Sequence, residues 1–382
     1  MHSANPFSFD TIVSGENFCN REREIEEVLG DIRSSHNVII FSQRRYGKTS
    51  LIKKVLHLAK LEGFLTIYTD VYHVLNEEDL VKAYAKAFAS TIEGSIEKIF
   101  QTLKTIFSSL RPKITVDADG KPEFTFGIET GRDPIMDLEE VFESVKKYTD
   151  KGGIKAAVVF DEFQQIGQLQ QAHRIESIVG SQIQSHKDIS YIFIGSKRHL
   201  IFDLFSDPSR PLYGGGKMLP LEKIAPKHLK SFVFSQFRLT GKQLPKEVAS
   251  RLVEICESHP YYTQYVSHSL WEITPLNSSI TDLDLENAIS LTISRISPRY
   301  ESIWELLPLR QRQALIALAN LAPNEKLFSG DVILKYGLAS APSFRKALKR
   351  LVDKSLVDRD QNSFSTIDVF FKKWIQLNFS IE

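Results

Sequence analysis

The segment that most constrains this chain is residues 38–52, VIIFSQRRYGKTSLI. The apolar run VIIF at its start predicts a buried strand, and apolar residues at helical spacing follow Gly47. A strand, a short polar turn and a helix in this order are typical of a phosphate-binding loop, whose usual pattern is G-x-x-x-x-G-K-[ST]. Ser42 stands where that pattern has its first glycine. The departure weakens the motif without removing it.

The chemistry of such a loop explains which of its positions matter. Main-chain N–H groups of the loop and of the helix start point at one spot and attract anions. Gly47 lets the backbone approach a phosphate, Lys48 supplies a positive charge, and Thr49 supplies a hydroxyl for Mg²⁺. The alternative is a chance GKT sequence at a helix start. The residues expected to surround the phosphates are Ser42, Gln43, Arg44, Arg45, Tyr46, Gly47, Lys48, Thr49 and Ser50.

A second apolar strand is predicted at residues 156–163, AAVVFDEF, and it ends in two adjacent carboxylates. At this place in a P-loop fold the first acid, Asp161, organises the Mg²⁺ ion. Glu162 would then accept a proton from the attacking water as a general base. The alternative is an ordinary acidic strand end. Because both motifs lie at strand ends and in the expected order along the chain, together they favour nucleotide binding.

Two later segments suggest groups that respond to the γ-phosphate. Residues 189–196 predict a buried strand that ends at Ser196, where P-loop ATPases of this arrangement carry a phosphate sensor; a plain turn is the alternative. Residues 206–216 are rich in turn formers and predict a surface loop. Arg210 in this loop, or Arg198, could reach the nucleotide of a neighbouring subunit. A solvated or salt-bridged arginine is the alternative for each.

Bulk properties set broad limits. The 382 residues suffice for two or three domains, and a formal net charge of +1 gives no global attraction to polyanions. The two cysteines have no metal-binding spacing and suit a reducing compartment. We find neither a signal peptide nor an apolar stretch long enough to span a membrane. We therefore expect a cytoplasmic protein with no membrane partner.

The order of the patterns predicts an α/β fold: a P-loop NTPase parallel sheet flanked by helices, then a helical lid and a winged-helix domain. Residues 78–110 look helical, and Asp119-Gly120 predicts a hairpin. From Leu219 onward the strand signal stops. The predicted domains are residues 1–220, an α/β core with a β-hairpin insertion near 112–128; 221–298, a helical lid; and 299–382, a winged helix-turn-helix.

The C-terminal region predicts three helices and two short strands, which is typical of a winged helix. The helices are expected at 303–321, 329–336 and 343–354, and the strands at 356–359 and 363–366, with a turn at 360–362. One side of the third helix is basic, which suits entry into a DNA groove. A charged face on a protein-interaction module is the alternative. The basic residues are Arg345, Lys346, Lys349, Arg350 and Lys354.

Several motifs in order make the chain similar to the archaeal-type ATPases of the AAA+/STAND branch of P-loop proteins. They are Asn5-Pro6-Phe7, Phe18-Cys19-Asn20-Arg21-Glu22, Arg44 to Leu51, Phe160 to Gln164, Gly195-Ser196, Arg210 to Gly214 and His259 to Tyr262. The resemblance implies ATP and Mg²⁺ as cofactors, with Phe18 and Arg21 near the adenine and Pro260 contacting the nucleotide from the lid. A simple helix cap is the alternative for Pro260. Ser42, Asn20 and Gly215-Gly216 depart from the family pattern.

The leading hypothesis is an ATPase that acts as a nucleotide-driven conformational switch. Its catalytic residues would be Lys48, Glu162, Ser196 and Arg210, and its metal ligands Thr49 and Asp161. One alternative is a DNA-associated regulator that reads DNA through the winged helix. Another is a non-hydrolysing STAND-type scaffold, in which nucleotide sets the state of a homo-oligomer. The sequence does not name a protein client.

Overall fold

A computed structural model describes residues 4–11, 18–117, 119–129, 131–322, 325–360 and 363–379. The chain forms two compact units. We call residues 21–222 the sheet unit, and residues 1–20 with 223–382 the helical unit. The predicted division into core, lid and winged helix stays a prediction.

The sheet unit is built on a parallel five-stranded sheet with the order β2-β5-β6-β1-β7. Every residue of β1, β5 and β6 is buried, as expected for parallel strands covered by helices on both faces. This explains why these three strands are nearly continuous apolar runs. The strands are β1 Val38–Phe41, β2 Leu65–Asp70, β3 Arg111–Val116, β4 Pro122–Gly127, β5 Ala156–Asp161, β6 Ile189–Gly195 and β7 Lys217–Pro220. The pair β3–β4 forms a separate antiparallel sheet.

The helices of the sheet unit include one break that the sequence pattern concealed. The predicted helical stretch 78–110 is wrong as a single element, because residues 90–95 separate α3 from α4. Ser95 begins α4 by accepting a hydrogen bond from the backbone N–H of Lys98. The helices are α1 Glu22–Arg33, α2 Lys48–Leu61, α3 Glu77–Ala89, α4 Ile96–Ile106, α5 Pro134–Gly152, α6 Ala172–Ser185 and α7 Arg198–Ser206.

The edge strand β7 corrects the expectation that the strand signal stops at Leu219. This four-residue strand pairs in parallel with β1, with Leu219 opposite Ile40. It ends in Pro220, a residue that sheets accept only at edges, strand ends or bulges. A short edge strand that contains proline carries little of the pattern that identifies a buried strand. The sequence therefore could not indicate it.

The helical unit contains the remaining helices and the winged helix. The predicted helix 303–321 is wrong as one element: α11 ends at Glu305, and Pro308 precedes the first residue of α12. Proline lacks the N–H that a continuous helix needs at this point. The predicted turn at 360–362 lies partly outside the described residues. The elements are α8 Pro226–Leu239, α9 Lys246–Ile255, α10 Pro260–Ile273, α11 Asp282–Glu305, α12 Leu309–Asn320, α13 Gly330–Lys335, α14 Ala341–Asp353, β8 Val357–Asp360, β9 Ser363–Thr366 and α15 Val369–Asn378.

The winged helix is held together by an aromatic core. Tyr300, Phe371 and Trp374 pack against one another, with ring centroids 5.0 to 6.1 Å apart. The hydroxyl of Tyr300 donates to Asp368, whose carboxylate also accepts the N–H groups at the start of α15. Phe371 and Trp374 are therefore core residues. None of the described helices has the length and apolar character that a membrane span requires.

Candidate functional site

The loop between β1 and α2 has the backbone that phosphate binding requires. Gly47 precedes α2 with φ +83°, a left-handed conformation that glycine adopts without steric cost. Ser42 does not have a positive φ, so a side chain at this position creates no backbone strain. The replacement of the usual first glycine is thus compatible with the loop. Arg44 and Arg45 are exposed, Tyr46 is buried, and Gln43 and Ser50 are half-buried.

Lys48 is the first residue of α2, and its side chain folds back into the preceding loop. Its side chain is buried, and Nζ donates to the carbonyl oxygens of Gln43, at 2.8 Å, and Ser42, at 3.1 Å. The pKa of Lys48 is lowered to about 8, chiefly because burial removes water from the ammonium group. The charges of Glu162 and Asp161 oppose this shift. Among the described residues no carboxylate forms an ion pair with Lys48, and a buried cation in this state is well placed to receive an anion.

Asp161 lies at the end of β5, beside the start of α2. Its Oδ2 accepts hydrogen bonds from the hydroxyls of Thr49, at 2.9 Å, and Tyr68, at 2.7 Å. Burial raises the pKa of the Asp161 carboxyl, and the two hydroxyl donors oppose that rise. A threonine hydroxyl and a carboxylate are hard oxygen ligands of the kind that Mg²⁺ prefers. The two predicted metal ligands therefore lie together and fit the ion.

Glu162 follows Asp161 in a left-handed conformation, with φ 56°. Such backbone is uncommon for residues other than glycine and occurs preferentially at functional sites. Its Oε2 accepts a 2.6 Å hydrogen bond from the hydroxyl of Ser196 and another from the side-chain amide of Gln164. The structure thus brings the predicted base and the predicted sensor into direct contact. A Cβ atom on Gly195 would clash with the side chain of Ile201 and would lie 2.8 Å from the Gln164 amide oxygen, so a residue larger than glycine would displace these side chains.

The residues predicted to lie near the adenine, Phe18 and Arg21, and the residue predicted to contact the nucleotide from the lid, Pro260, are divided between the two units. Arg21 belongs to the sheet unit, and its guanidinium approaches the carbonyl oxygen of Tyr46 at 3.4 Å and pairs with Glu24 at 2.7 Å. Arg21 therefore touches the phosphate-binding loop. Phe18 and Pro260 belong to the helical unit. The nucleotide contacts of all three stay predictions.

Arg210 and Arg198 both have partners within the sheet unit. The guanidinium of Arg210 forms a two-point ion pair with Glu176 on α6, whose side chain is only 1% exposed. Arg198 lies over the rings of Phe41 and Phe202, 5.9 and 5.6 Å from their centroids. This geometry gives Arg210 a structural role within its own chain. Its catalytic role in a neighbouring subunit stays a prediction.

We expect Arg210→Ala to lower the stability of the protein, because it would leave the buried carboxylate of Glu176 without its counter-charge. Removing one partner of a fully buried pair costs about 3–5 kcal/mol, and the partial exposure of Arg210 reduces this to about 2 kcal/mol. Urea unfolding should measure the loss, and a Glu176→Gln change in the same variant should recover part of it. Unchanged stability in Arg210→Ala would contradict a structural pair.

Sequence reasoning missed Tyr68, Lys53 and Gln164. Tyr68 contacts Asp161 from the neighbouring strand, and the ammonium of Lys53 lies 3.3 Å from the centroid of the Tyr68 ring. The pairing of β2 with β5 could have suggested Tyr68, but strand order is not visible in one sequence. Gln164 lies only two residues beyond Glu162. Its role depends on the 3₁₀ turn Phe163–Gln168, which turns its amide back toward the carboxylate.

A parallel sheet with a phosphate-binding loop after β1 and an acid pair at the end of β5 defines a nucleotide-binding ATPase of the P-loop class. The family model described as an ATPase domain predominantly from Archaea matches residues 18–266, more than half of the chain. The protein therefore belongs to this family, and the resemblance noted in the sequence is confirmed. A probable winged helix domain matches residues 298–377. Assignment to the AAA+/STAND branch stays a prediction.

Solved structures share the fold at low sequence identity. The Walker-type ATPase PABY2304 of Pyrococcus abyssi has a TM-score of 0.68 and 18% identity, covering 97% of this chain and 99% of its own. The Aeropyrum pernix ORC1 protein in complex with DNA has a TM-score of 0.50 and 13% identity, covering 95% and 94%. The ADP form of the Aeropyrum pernix ORC2 protein has a TM-score of 0.51 and 15% identity, covering 95% of each chain. No curated protein sequence matches the chain.

Proposed function

We propose that this protein binds ATP with Mg²⁺, hydrolyses it to ADP and phosphate, and uses the reaction as a conformational switch. The observation that carries the proposal is one continuous line of contacts. It runs from Thr49 in the phosphate-binding loop to Asp161, along the backbone to Glu162, and on to Ser196 at the end of β6. The groups that would hold the metal, activate water and sense the γ-phosphate in this proposal all lie on this line.

The roles follow from the chemistry of the side chains. The loop amides and Lys48 would bind the phosphates, and Thr49 and Asp161 would hold Mg²⁺, which neutralises charge on the phosphate oxygens. Glu162 would accept a proton from water. Ser196 now donates to Glu162, and its hydroxyl could donate to a γ-phosphate oxygen instead. When Ser196 donates to the γ-phosphate, Glu162 would lose the hydrogen bond from Ser196. The presence of the γ-phosphate would thus release the Glu162 carboxylate to accept a proton from water.

The proposal is tested by measuring binding and turnover on the purified 382-residue chain. Calorimetry with Mg²⁺ and a slowly hydrolysed ATP analogue should show binding, and phosphate release should be steady and dependent on Mg²⁺. Size-exclusion chromatography with ADP or the analogue tests whether nucleotide changes the oligomeric state. Binding without turnover, together with a change in mass, would favour the non-hydrolysing scaffold. The absence of any binding would remove the proposal.

A second candidate function is DNA binding through α14. The four predicted basic residues on α14 and Lys354, which follows its last residue, are all exposed, while Phe344, Ala347, Leu348 and Leu351 on the other side of the helix are buried. Residues 298–377 contain 13 Lys and Arg against 8 Asp and Glu, although the whole chain is nearly neutral. Positive charge is thus concentrated in the winged helix. This distribution favours a polyanionic partner such as duplex DNA.

We expect the double charge reversal Lys346→Glu with Arg350→Glu to weaken duplex DNA binding and its dependence on salt. Loss of two phosphate contacts should reduce the slope of log affinity against log salt by about two units. Fluorescence anisotropy over a salt series measures both quantities. The matched control is Lys98→Glu with Lys104→Glu on α4, where both lysines are exposed. Equal effects of the two double variants would argue against a dedicated DNA surface.

A further inference from the structure

Tyr68 occupies a place on β2 from which a long side chain can reach the acid pair. The strands β2 and β5 run parallel, with Asp70 opposite Asp161 and Tyr68 opposite Val159. Because alternate residues of a strand share one face of the sheet, Tyr68 lies on the same face as Asp161. Its hydroxyl reaches Oδ2 of that carboxylate at 2.7 Å.

The two carboxylate oxygens of Asp161 accept hydrogen bonds from different groups. Oδ1 accepts the backbone N–H of Glu162 at 2.9 Å, which ties the carboxylate to its own turn. Oδ2 accepts both the Thr49 and the Tyr68 hydroxyls, so it faces the phosphate-binding loop. Asp161 is only 3% exposed, so water can do little to replace a lost donor. Tyr68 is therefore one of three groups that fix the plane of this carboxylate.

Lys53 restrains the ring of Tyr68 by lying over one of its faces. It lies one helical turn after Thr49 on α2, and its half-buried ammonium sits 3.3 Å from the ring centroid. A cation over an aromatic face is attracted by the negative charge density of the ring. The ring is thus held between a helix and a strand that carry the two predicted metal ligands. A freely rotating tyrosine could not orient a carboxylate in this way.

We propose that Tyr68 is a positioning residue that orients the Asp161 carboxylate for Mg²⁺ in the nucleotide complex. The proposal rests on the proposed function, because it concerns the metal that would accompany ATP. Mg²⁺ demands near-ideal octahedral geometry, so a misoriented carboxylate should bind it poorly. Loss of a hydrogen-bond partner behind a metal ligand typically lowers metal affinity by roughly 10- to 100-fold. Tyr68 itself needs no contact with the metal.

The test is Tyr68→Phe, which removes the hydroxyl and keeps the ring beneath Lys53. Mn²⁺ serves as the probe: electron paramagnetic resonance titrations of the protein–ADP complex measure free and bound metal directly. We expect Mn²⁺ affinity to fall by roughly 10-fold, whereas ADP affinity in excess EDTA should stay unchanged. In turnover assays, the Mg²⁺ concentration at half-maximal rate should rise, and saturating Mg²⁺ should recover most of the rate.

The control is Tyr148→Phe on α5, which removes a hydroxyl from a tyrosine that packs against Phe88 in the same unit. It should leave both affinities unchanged. Equal Mn²⁺ affinity in the wild type and Tyr68→Phe would overturn the inference while leaving the proposed function intact. A parallel loss of ADP affinity in EDTA would also overturn it, because that result indicates a general structural role. If the wild type binds no ADP under either condition, the proposed function itself fails.

Discussion

Replacing Lys48 by alanine should weaken ATP binding by roughly 100-fold and lower phosphate release with it. Lys48 is the one positively charged residue that the G-x-x-x-x-G-K-[ST] pattern specifies. Charge-assisted hydrogen bonds to phosphate are among the strongest in proteins. Loss of such contacts is expected to cost about 3 kcal/mol, which corresponds to roughly 100-fold in affinity. Calorimetric titration with Mg²⁺ and a slowly hydrolysed ATP analogue measures this loss.

A matched control for this variant is Lys60→Ala on the same helix. Lys60 is exposed and pairs at the surface with Glu93, at 3.3 Å, so its loss removes the same charge without touching the loop. It should bind nucleotide as the wild type does. Circular dichroism should show that Lys48→Ala remains folded, because within the described part of the chain the lysine ammonium donates only to main-chain and side-chain oxygens of the short loop 42–47. Wild-type affinity in Lys48→Ala would mean that the nucleotide binds elsewhere or not through this lysine.

The central strands of the sheet could be predicted from the sequence because strands buried on both faces consist almost entirely of apolar residues. β1, β5 and β6 are covered on both faces, and each is an apolar run bounded by polar residues. The strand β7 lies at the edge of the described sheet, pairs there only with β1 and ends in proline, so its sequence resembles that of a loop. The same limit applies to residues 206–216, predicted as a surface loop. Leu212 within this segment is fully buried. Whether a single apolar residue among turn formers is buried depends on tertiary contacts, which the local sequence does not show.

The parts of the candidate site whose residues are consecutive in the sequence could be predicted. Contacts between residues on different strands could not. Lys48, Thr49, Asp161 and Glu162 carry their chemistry in short motifs that have a fixed place relative to a strand end. The contact between Ser196 and Glu162 needs β6 next to β5, and the contact between Tyr68 and Asp161 needs β2 on the other side. Neither adjacency follows from periodicity. For Arg210 the sequence left two possibilities open, a contact with the nucleotide of a neighbouring subunit and a solvated or salt-bridged arginine. The partner that the structure shows, the buried Glu176, lies 34 residues away on α6 and could not be predicted from the sequence.

Replacing Glu162 by glutamine should stop turnover while preserving nucleotide binding. Glutamine keeps the size of the side chain, and its carbonyl oxygen can still accept the hydrogen bond from Ser196, but it cannot take a proton from water. Removal of a general base typically lowers the rate by roughly 10²- to 10⁴-fold. Phosphate release under saturating ATP and Mg²⁺ measures the rate constant, and calorimetry measures the affinity.

The control Glu93→Gln makes the same chemical change on the exposed partner of Lys60, where we expect no effect on rate or affinity. Glu162→Gln should also accumulate a complex with unhydrolysed ATP, which can be detected by acid quenching and chromatography of the bound nucleotide. A wild-type rate in Glu162→Gln would show that another group activates the water. Loss of binding equal to that in Lys48→Ala would instead indicate that Glu162 maintains the loop, because the left-handed turn at φ 56° lies directly beside Asp161.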